Sequence, residues 1–427
     1  MKKILSLVLA VIMMMTVTAF AADMTTTGEV GPFTTPDVPQ PQEKSITLKK
    51  ELKFYNPASC TVNAPTITYT YEIAGGTAGK NITDAAGKHD PEGAVTVPTK
   101  AGVGNPTITP SVEWTPASSH TASSTGESEF KDITVDFKDV TFTGAGVYRY
   151  VITETVTYTG TGVTETKVGN TAGSHTRYLD VYVKDGSTAG TYDIYGYTCF
   201  YNNNDITDSN KTTSAVKTQG FVAGTTDGST AVTADSYYTY NVTIGKTLTG
   251  DNAKLTNKFP FTVTFQNASI TANVDIIGTA SNGTATASDT ASGPLSTQIT
   301  ATPTIAHGGT AVYTGIPVGT TVTVKEKNNV TGTTYTSVGT ITTKETGDTD
   351  AASKVITYDT DSNVATIAST TADSIPDANK TVQFANDLVL ISPTGYVARI
   401  APYALMLAAG VILLVLGFKR RTKKEEA

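Results

Sequence analysis

The chain has 427 residues, enough for two or three domains with cores of their own, and only 16% of them are charged. Its formal net charge is −7 at pH 7, with Lys and Arg scattered along the sequence, which argues against nucleic acid as a partner. Thr, Ser, Gly, Ala, Val and Tyr dominate, and that composition favours strands and turns over helices.

Residues 1–21 read as a secretory signal peptide. Lys2 and Lys3 precede an apolar run from Ile4 to Val17, and Ala19-Phe20-Ala21 supplies small residues for cleavage after Ala21 or Ala22. A membrane anchor is the other reading of such a segment, but the run is short for a span. Residues 22–44 hold Pro32, Pro36, Pro39 and Pro41 without any periodic apolar pattern, and read as an extended linker.

From 45 to 240 the chain breaks into short alternating segments separated by Gly- and Ser-rich turns. Ile46, Leu48, Lys50 and Leu52 share one strand face, as do Ile67, Tyr69, Tyr71 and Ile73. Ile133, Val135 and Phe137 follow, then Tyr148, Tyr150 and Ile152 with Glu154, then Leu179, Val181 and Val183. Residues 241–388 repeat this alternation in Val242, Ile244 and Lys246; Phe259, Phe261, Val263 and Phe265; Val322, Val324 and Glu326; and Val382, Phe384 and Asn386. No segment keeps a helical period. The expected fold is all-β, with two tandem β-sandwich domains covering 45–240 and 241–388. Each opens with an apolar-x-apolar-x-Lys-x-Leu strand, a weak internal repeat.

Segment 389–399 leads into an uncharged apolar run, 400–418, long enough for a transmembrane helix, and then a basic tail, 419–427. The basic residues of that tail are expected to stay cytoplasmic, leaving the body of the chain exported and tethered to the membrane by its end.

Two cysteines occur, Cys60 and Cys199. In an exported chain a pair is more often bridged than free, and sequence alone leaves both states open. The four histidines, His89, His120, His175 and His307, are far apart in loop-like contexts and read as surface residues. H-E-x-x-H, G-x-S-x-G and a phosphate-cradling glycine loop are all absent, so the sequence implies no cofactor, no metal and no turnover enzyme.

Lys246, Glu326 and Asn386 form a more pointed set, because alternation turns all three inward. Burying them without chemistry costs several kcal/mol of desolvation. An apolar site lowers a lysine pKa and raises that of a glutamate, which makes the amine a nucleophile and the acid a proton donor. The product would be a Lys–Asn isopeptide bond, formed once per molecule. The plainer reading is a partly exposed Lys246–Glu326 ion pair near a sheet edge.

Three segments, V-T-I-G-K-T-L-T-G, G-I-P-V-G-T-T-V-T-V-K-E and V-Q-F-A-N, resemble the first, Glu-bearing and closing strands of Gram-positive pilin domains. Those are immunoglobulin-like domains with intramolecular Lys–Asn bonds. G-V-Y-R-Y-V-I-T-E, with Y-L-D-V-Y-V-K-D-G, is similar to the streptococcal pilin isopeptide-linkage domain. The resemblance implies Lys246 as nucleophile, Glu326 as acid/base and Asn386 as acceptor. In the first domain it implies Lys50 and Glu154, but the F-x-N acceptor stands as Phe221-Val222-Ala223, with Asn241 as a nearby substitute. Leu390-Ile391-Ser392-Pro393-Thr394-Gly395 resembles a variant cell-wall sorting signal, with cleavage between Thr394 and Gly395. A sortase-type transpeptidase, the cell wall or neighbouring pilin subunits, and the membrane through the C-terminal helix are the partners it implies. The expected function is a structural surface protein, a pilin-like subunit or stalk. The alternative is a non-polymerising adhesin that binds a host or matrix ligand through first-domain loops.

Overall fold

A computed structural model describes residues 43–83, 96–165, 167–168, 171–172, 175–203, 206–207, 217–225, 231–250, 253–281, 286–327, 337–345, 352–357, 364–367, 379–388 and 403–415. The expected signal peptide, nearly all of the linker, the sorting-like segment with Thr394 and Gly395, and the basic tail lie outside them. So does His89.

The described residues are mostly strand, as the alternation requires. In the first half the principal strands are β1 (Ser45–Tyr55), β2 (Ile67–Gly75), β3 (Glu127–Asp136), β4 (Gly146–Thr155), β5 (Thr176–Asp185) and β6 (Tyr192–Phe200). A 15-residue strand, β7 (Asp235–Thr249), follows. The second half holds β8 (Lys258–Gln266), β9 (Thr310–Pro317), β10 (Thr321–Glu326), β11 (Ser337–Glu345) and β12 (Lys380–Leu388). Further strands lie between them, among them the nine-residue Asn273–Ser281.

In the first half, β2, β4, β5 and β6 make one antiparallel sheet, and β1 pairs antiparallel with β3 across from it. In the second, β8 pairs with β10. Facing them, β7 is flanked by antiparallel β9 and parallel β12, which in turn pairs with β11. Buried apolar side chains form two clusters. One is built from Leu48, Leu52, Trp114, Tyr150 and Leu179 among others, the second from Val242, Ile244, Phe261, Val324 and Phe384 among others.

β7 belongs to both clusters, and the expected boundary at 240/241 falls inside it. Its first residues pair in parallel with β1, Leu52 opposite Asp235 and Tyr55 opposite Tyr238. Its later residues pair with β12, from Val242 opposite Lys380 to Thr249 opposite Asp387. Strand side chains alternate, so Asp235 and Tyr237 point into the first cluster, whereas Tyr240, Val242, Ile244, Lys246 and Leu248 serve the second. One strand thereby closes the first half and opens the second.

The seam between the halves is tight. Thr66 N donates to Asn273 O at 2.9 Å, Ala272 N to Gly160 O at 2.6 Å, and Thr314 Oγ1 to Thr61 O at 3.1 Å. Gly315 sits there with φ +74°, and a Cβ at this position would stand 3.2 Å from the Val62 side chain. Glycine meets both demands at once.

Cys60 and Cys199 are both free. The bridge left open by the sequence is not made. Cys199 is buried on β6 and burial pushes its thiol up to about 12, while the half-buried Cys60 thiol is raised for the same reason. Residues 403–415, inside the apolar run 400–418, form a helix with exposed side chains such as Leu405 and Leu413. No helix among the described residues is long and apolar enough to cross a membrane.

Candidate functional site

Alternation turns Lys246 of β7 inward beside Ile244 and Leu248, Glu326 inward at the end of β10, and Asn386 inward after Phe384 on β12. β7 and β12 are parallel neighbours with Leu248 opposite Asn386 and Lys246 opposite Phe384. Lys246 and Asn386 are therefore diagonal neighbours on one sheet face, and Glu326 meets them from the facing sheet. The Lys246 Nζ lies 2.9 Å from Glu326 Oε1, and neither side chain is exposed. Asn386 Nδ2 donates to the same Oε1 at 3.0 Å.

This overturns the partly exposed ion pair. The Phe259 ring lies 4.4 Å from Lys246 Nζ, so the amine is walled by apolar surface. Burial holds its pKa down to about 8 against the upward pull of Glu326. Lys246 Nζ meets the Glu326 carboxylate, whereas Asn386 Oδ1 has no hydrogen-bond partner among the described residues. A buried carbonyl oxygen left unpaired beside a shared carboxylate is an arrangement that native folds avoid unless it is used.

The first half contains a second such cluster. Lys50, 1% exposed between Leu48 and Leu52, donates to Glu154 Oε1 at 3.0 Å and to Asp235 Oδ2 at 2.7 Å. The Tyr69 ring lies 3.9 Å from its Nζ. Tyr71 donates to Glu154 Oε2 at 2.9 Å, and Tyr158 donates to Asp235 Oδ2 at 2.9 Å. Burial first, and then the adjacent carboxylates, push both phenols well above their ordinary range, so both remain donors.

Lys50 and Glu154 meet as expected, but Asn241 is not with them. It exchanges hydrogen bonds with Asn56 at 2.9 Å and accepts from Gly315 N at 3.4 Å, at the seam between the halves. Ala223 N donates to Glu51 instead. The residue beside Lys50 is Asp235, which sequence reasoning missed. Asp235 has no F-x-N signature around it; only the β1–β7 register brings it to Lys50.

The reading of the histidines as surface residues fails at His120, whose side chain is 10% exposed and stacks on Phe54, and again at His175. Its Nδ1 lies 3.4 Å from Glu154 Oε1 and its Nε2 3.1 Å from Glu165 Oε1, with the ring stacked on Tyr158. The hydrogen bond to Glu154 raises the His175 pKa above its ordinary value, outweighing partial burial, and Glu165 adds to the effect. A histidine with a raised folded-state pKa contributes stability that is complete below about pH 6.5 and vanishes as pH rises through the folded value. His175→Gln is thus expected to lower the thermal midpoint more at about pH 5.5 than at about pH 8.5. Equal losses at both would contradict the assignment.

Residues 240–371 match the model of a domain of unknown function (DUF7601). The match takes in Lys246 and Glu326 and ends before Asn386. No curated protein matches the chain. Among solved structures it is similar to the major pilin of Streptococcus pyogenes, at 18% identity over 82% of this chain and 100% of that one, with a TM-score of 0.40. A second S. pyogenes major pilin, T3.2, is 16% identical over 81% of this chain and 99% of that one, TM-score 0.39. An adhesin of Mobiluncus mulieris, containing intramolecular disulfide, isopeptide and ester bond cross-links, is 14% identical over 82% of this chain and 92% of that one, TM-score 0.21.

Proposed function

We propose that the chain is a structural cell-surface protein, a pilin-like subunit or stalk. It consists of two tandem immunoglobulin-like sandwiches, the second locked by a Lys246–Asn386 isopeptide bond. The observation that carries this reading is the sealed Lys246–Glu326–Asn386 cluster, which ties the strand opening the second half to the strand closing it. A conventional ion pair would stabilise little there, since a buried pair seldom outweighs its own desolvation.

The chemistry follows from the contacts. Burial lowers the Lys246 pKa to about 8, which enlarges the share of neutral, nucleophilic amine. Lys246 Nζ attacks the Asn386 side-chain carbonyl carbon, the C–N bond to Nζ forms, and the bond to Nδ2 breaks. Glu326, already hydrogen-bonded to Nδ2, supplies a proton to the departing nitrogen and takes one from the attacking amine. The products are one amide and one ammonia. No second substrate enters, so this is a single maturation event.

The exported chain is held by its C-terminus, with Thr394 joined to an amine of the wall or of a neighbouring subunit by a sortase-type transpeptidase. Cell fractionation tests this part. In Thr394→Ala cells the protein should move from the wall-digest fraction to the detergent-extractable membrane fraction. Unchanged covalent wall linkage would rule out Thr394.

A further inference from the structure

We propose that His175 is a pH-sensitive clasp on the joint between the two halves. Protonated, it holds the turn 158–162 against β7 and the second half; on losing its proton it lets that turn go. The clasp is independent of the Lys246–Asn386 bond and of how the chain is anchored.

One ring stands at the root of this turn. The chain leaves the first sheet after β4 and rejoins it at β5, where Glu154 N donates to His175 O at 2.7 Å. Between these points Thr161 N and Thr161 Oγ1 both donate to Tyr158 O, which folds the turn. The short strand Val163–Thr164 then pairs with β7, opposite Tyr237 and Ser236. At the tip, Gly160 O accepts from Ala272 N of the second half, and Gly160 has φ +82°. A Cβ there would collide with Thr271 Oγ1, so the tip lies directly on its neighbour. His175 grips both arms of the turn, Tyr158 by ring stacking and Glu165 through Nε2.

The pH dependence comes from hydrogen-bonding capacity. Both ring nitrogens face carboxylates, Nδ1 towards Glu154 and Nε2 towards Glu165, and an ionised carboxylate only accepts. Only the imidazolium donates to both at once. A neutral ring keeps one N–H and turns a lone pair on the other carboxylate. The two partners are not equal. Glu154 is buried and keeps Lys50 and Tyr71, whereas the Glu165 side chain is 36% exposed and can turn to water. Glu165 is therefore the contact that gives way. The neighbouring cations are committed elsewhere, Lys50 to Glu154 and Asp235 and Arg177 to the Gly220 and Thr176 carbonyls. Asp235 is held by Lys50 and Tyr158. The hydrogen bond to Glu154 raises the His175 pKa, so release comes above about pH 6.5.

Amide hydrogen exchange of the full chain, read by mass spectrometry and corrected for the intrinsic effect of pH, is the test. Protection of the Ala272 amide should fall about tenfold between about pH 5.5 and about pH 8.5, the loss of one charge-assisted hydrogen bond. The Val318 amide, which donates to Tyr238 O elsewhere at the joint, should keep its protection. His175→Gln should give the low value for Ala272 at both pH values. Glu165→Gln should give the high value at both, because its side-chain NH2 can donate to a neutral ring. Ala272 protection that ignores pH in the unmutated chain would overturn the proposal. So would an undiminished fall in the Glu165→Gln chain, or a matching fall at Val318.

Discussion

Glu326→Ala is expected to leave Lys246 and Asn386 unjoined and to lower the melting temperature by about 10–20 °C. The magnitude follows from the loop that the bond closes. A crosslink spanning roughly 140 residues constrains the unfolded chain by about 5 kcal/mol through lost loop entropy. A domain of this size shifts by about 2–4 °C per kcal/mol. The substitution also strands Lys246 without its carboxylate in an apolar pocket, which deepens the loss. Asn386→Ala separates the two contributions, because it prevents the bond while leaving the Lys246–Glu326 pair in place. Its midpoint should fall between those of the unmutated chain and Glu326→Ala. Midpoints within a degree or two of the unmutated chain for both variants would mean that no crosslink was lost.

Mechanical extension should change still more. Lys246 lies on the strand that opens the second half and Asn386 on the strand that closes it, so a bond between them lets tension bypass everything from 247 to 385. Pulled by its two ends, the unmutated chain should show no lengthening from this half. Glu326→Ala should release a step of roughly 140 residues, about 480 Å of extended backbone. A step of the same size in the unmutated chain would show that the half is not closed covalently.

Much of this was legible in the sequence because strand alternation is a local signal. Lys246, Glu326 and Asn386 were placed inward by their apolar neighbours two residues away, and all three are buried against one another. Lys50 and Glu154 were found the same way. Asp235 was not, for a physical reason. Its partner lies 185 positions away, and only the pairing of β7 with β1 brings the two together. The F-x-N motif pointed to Ala223, and proximity in sequence to Asn241. Asn241 sits at the seam, held by Asn56 and Gly315. His175 was hidden because it precedes β5 in what reads as a loop, and reaches Glu154 only through the pairing of β5 with β4. The state of the two thiols likewise depends on distances that spacing does not encode.

The Lys246–Asn386 bond is central, and its most direct measurement is the mass of the peptides that carry these two residues after digestion of the unmutated chain. The prediction is a single branched species, lighter by one ammonia, about 17 Da, than the two linear peptides together. Recovery of both peptides linear and at full mass would contradict the bond and leave Lys246, Glu326 and Asn386 as a buried polar cluster.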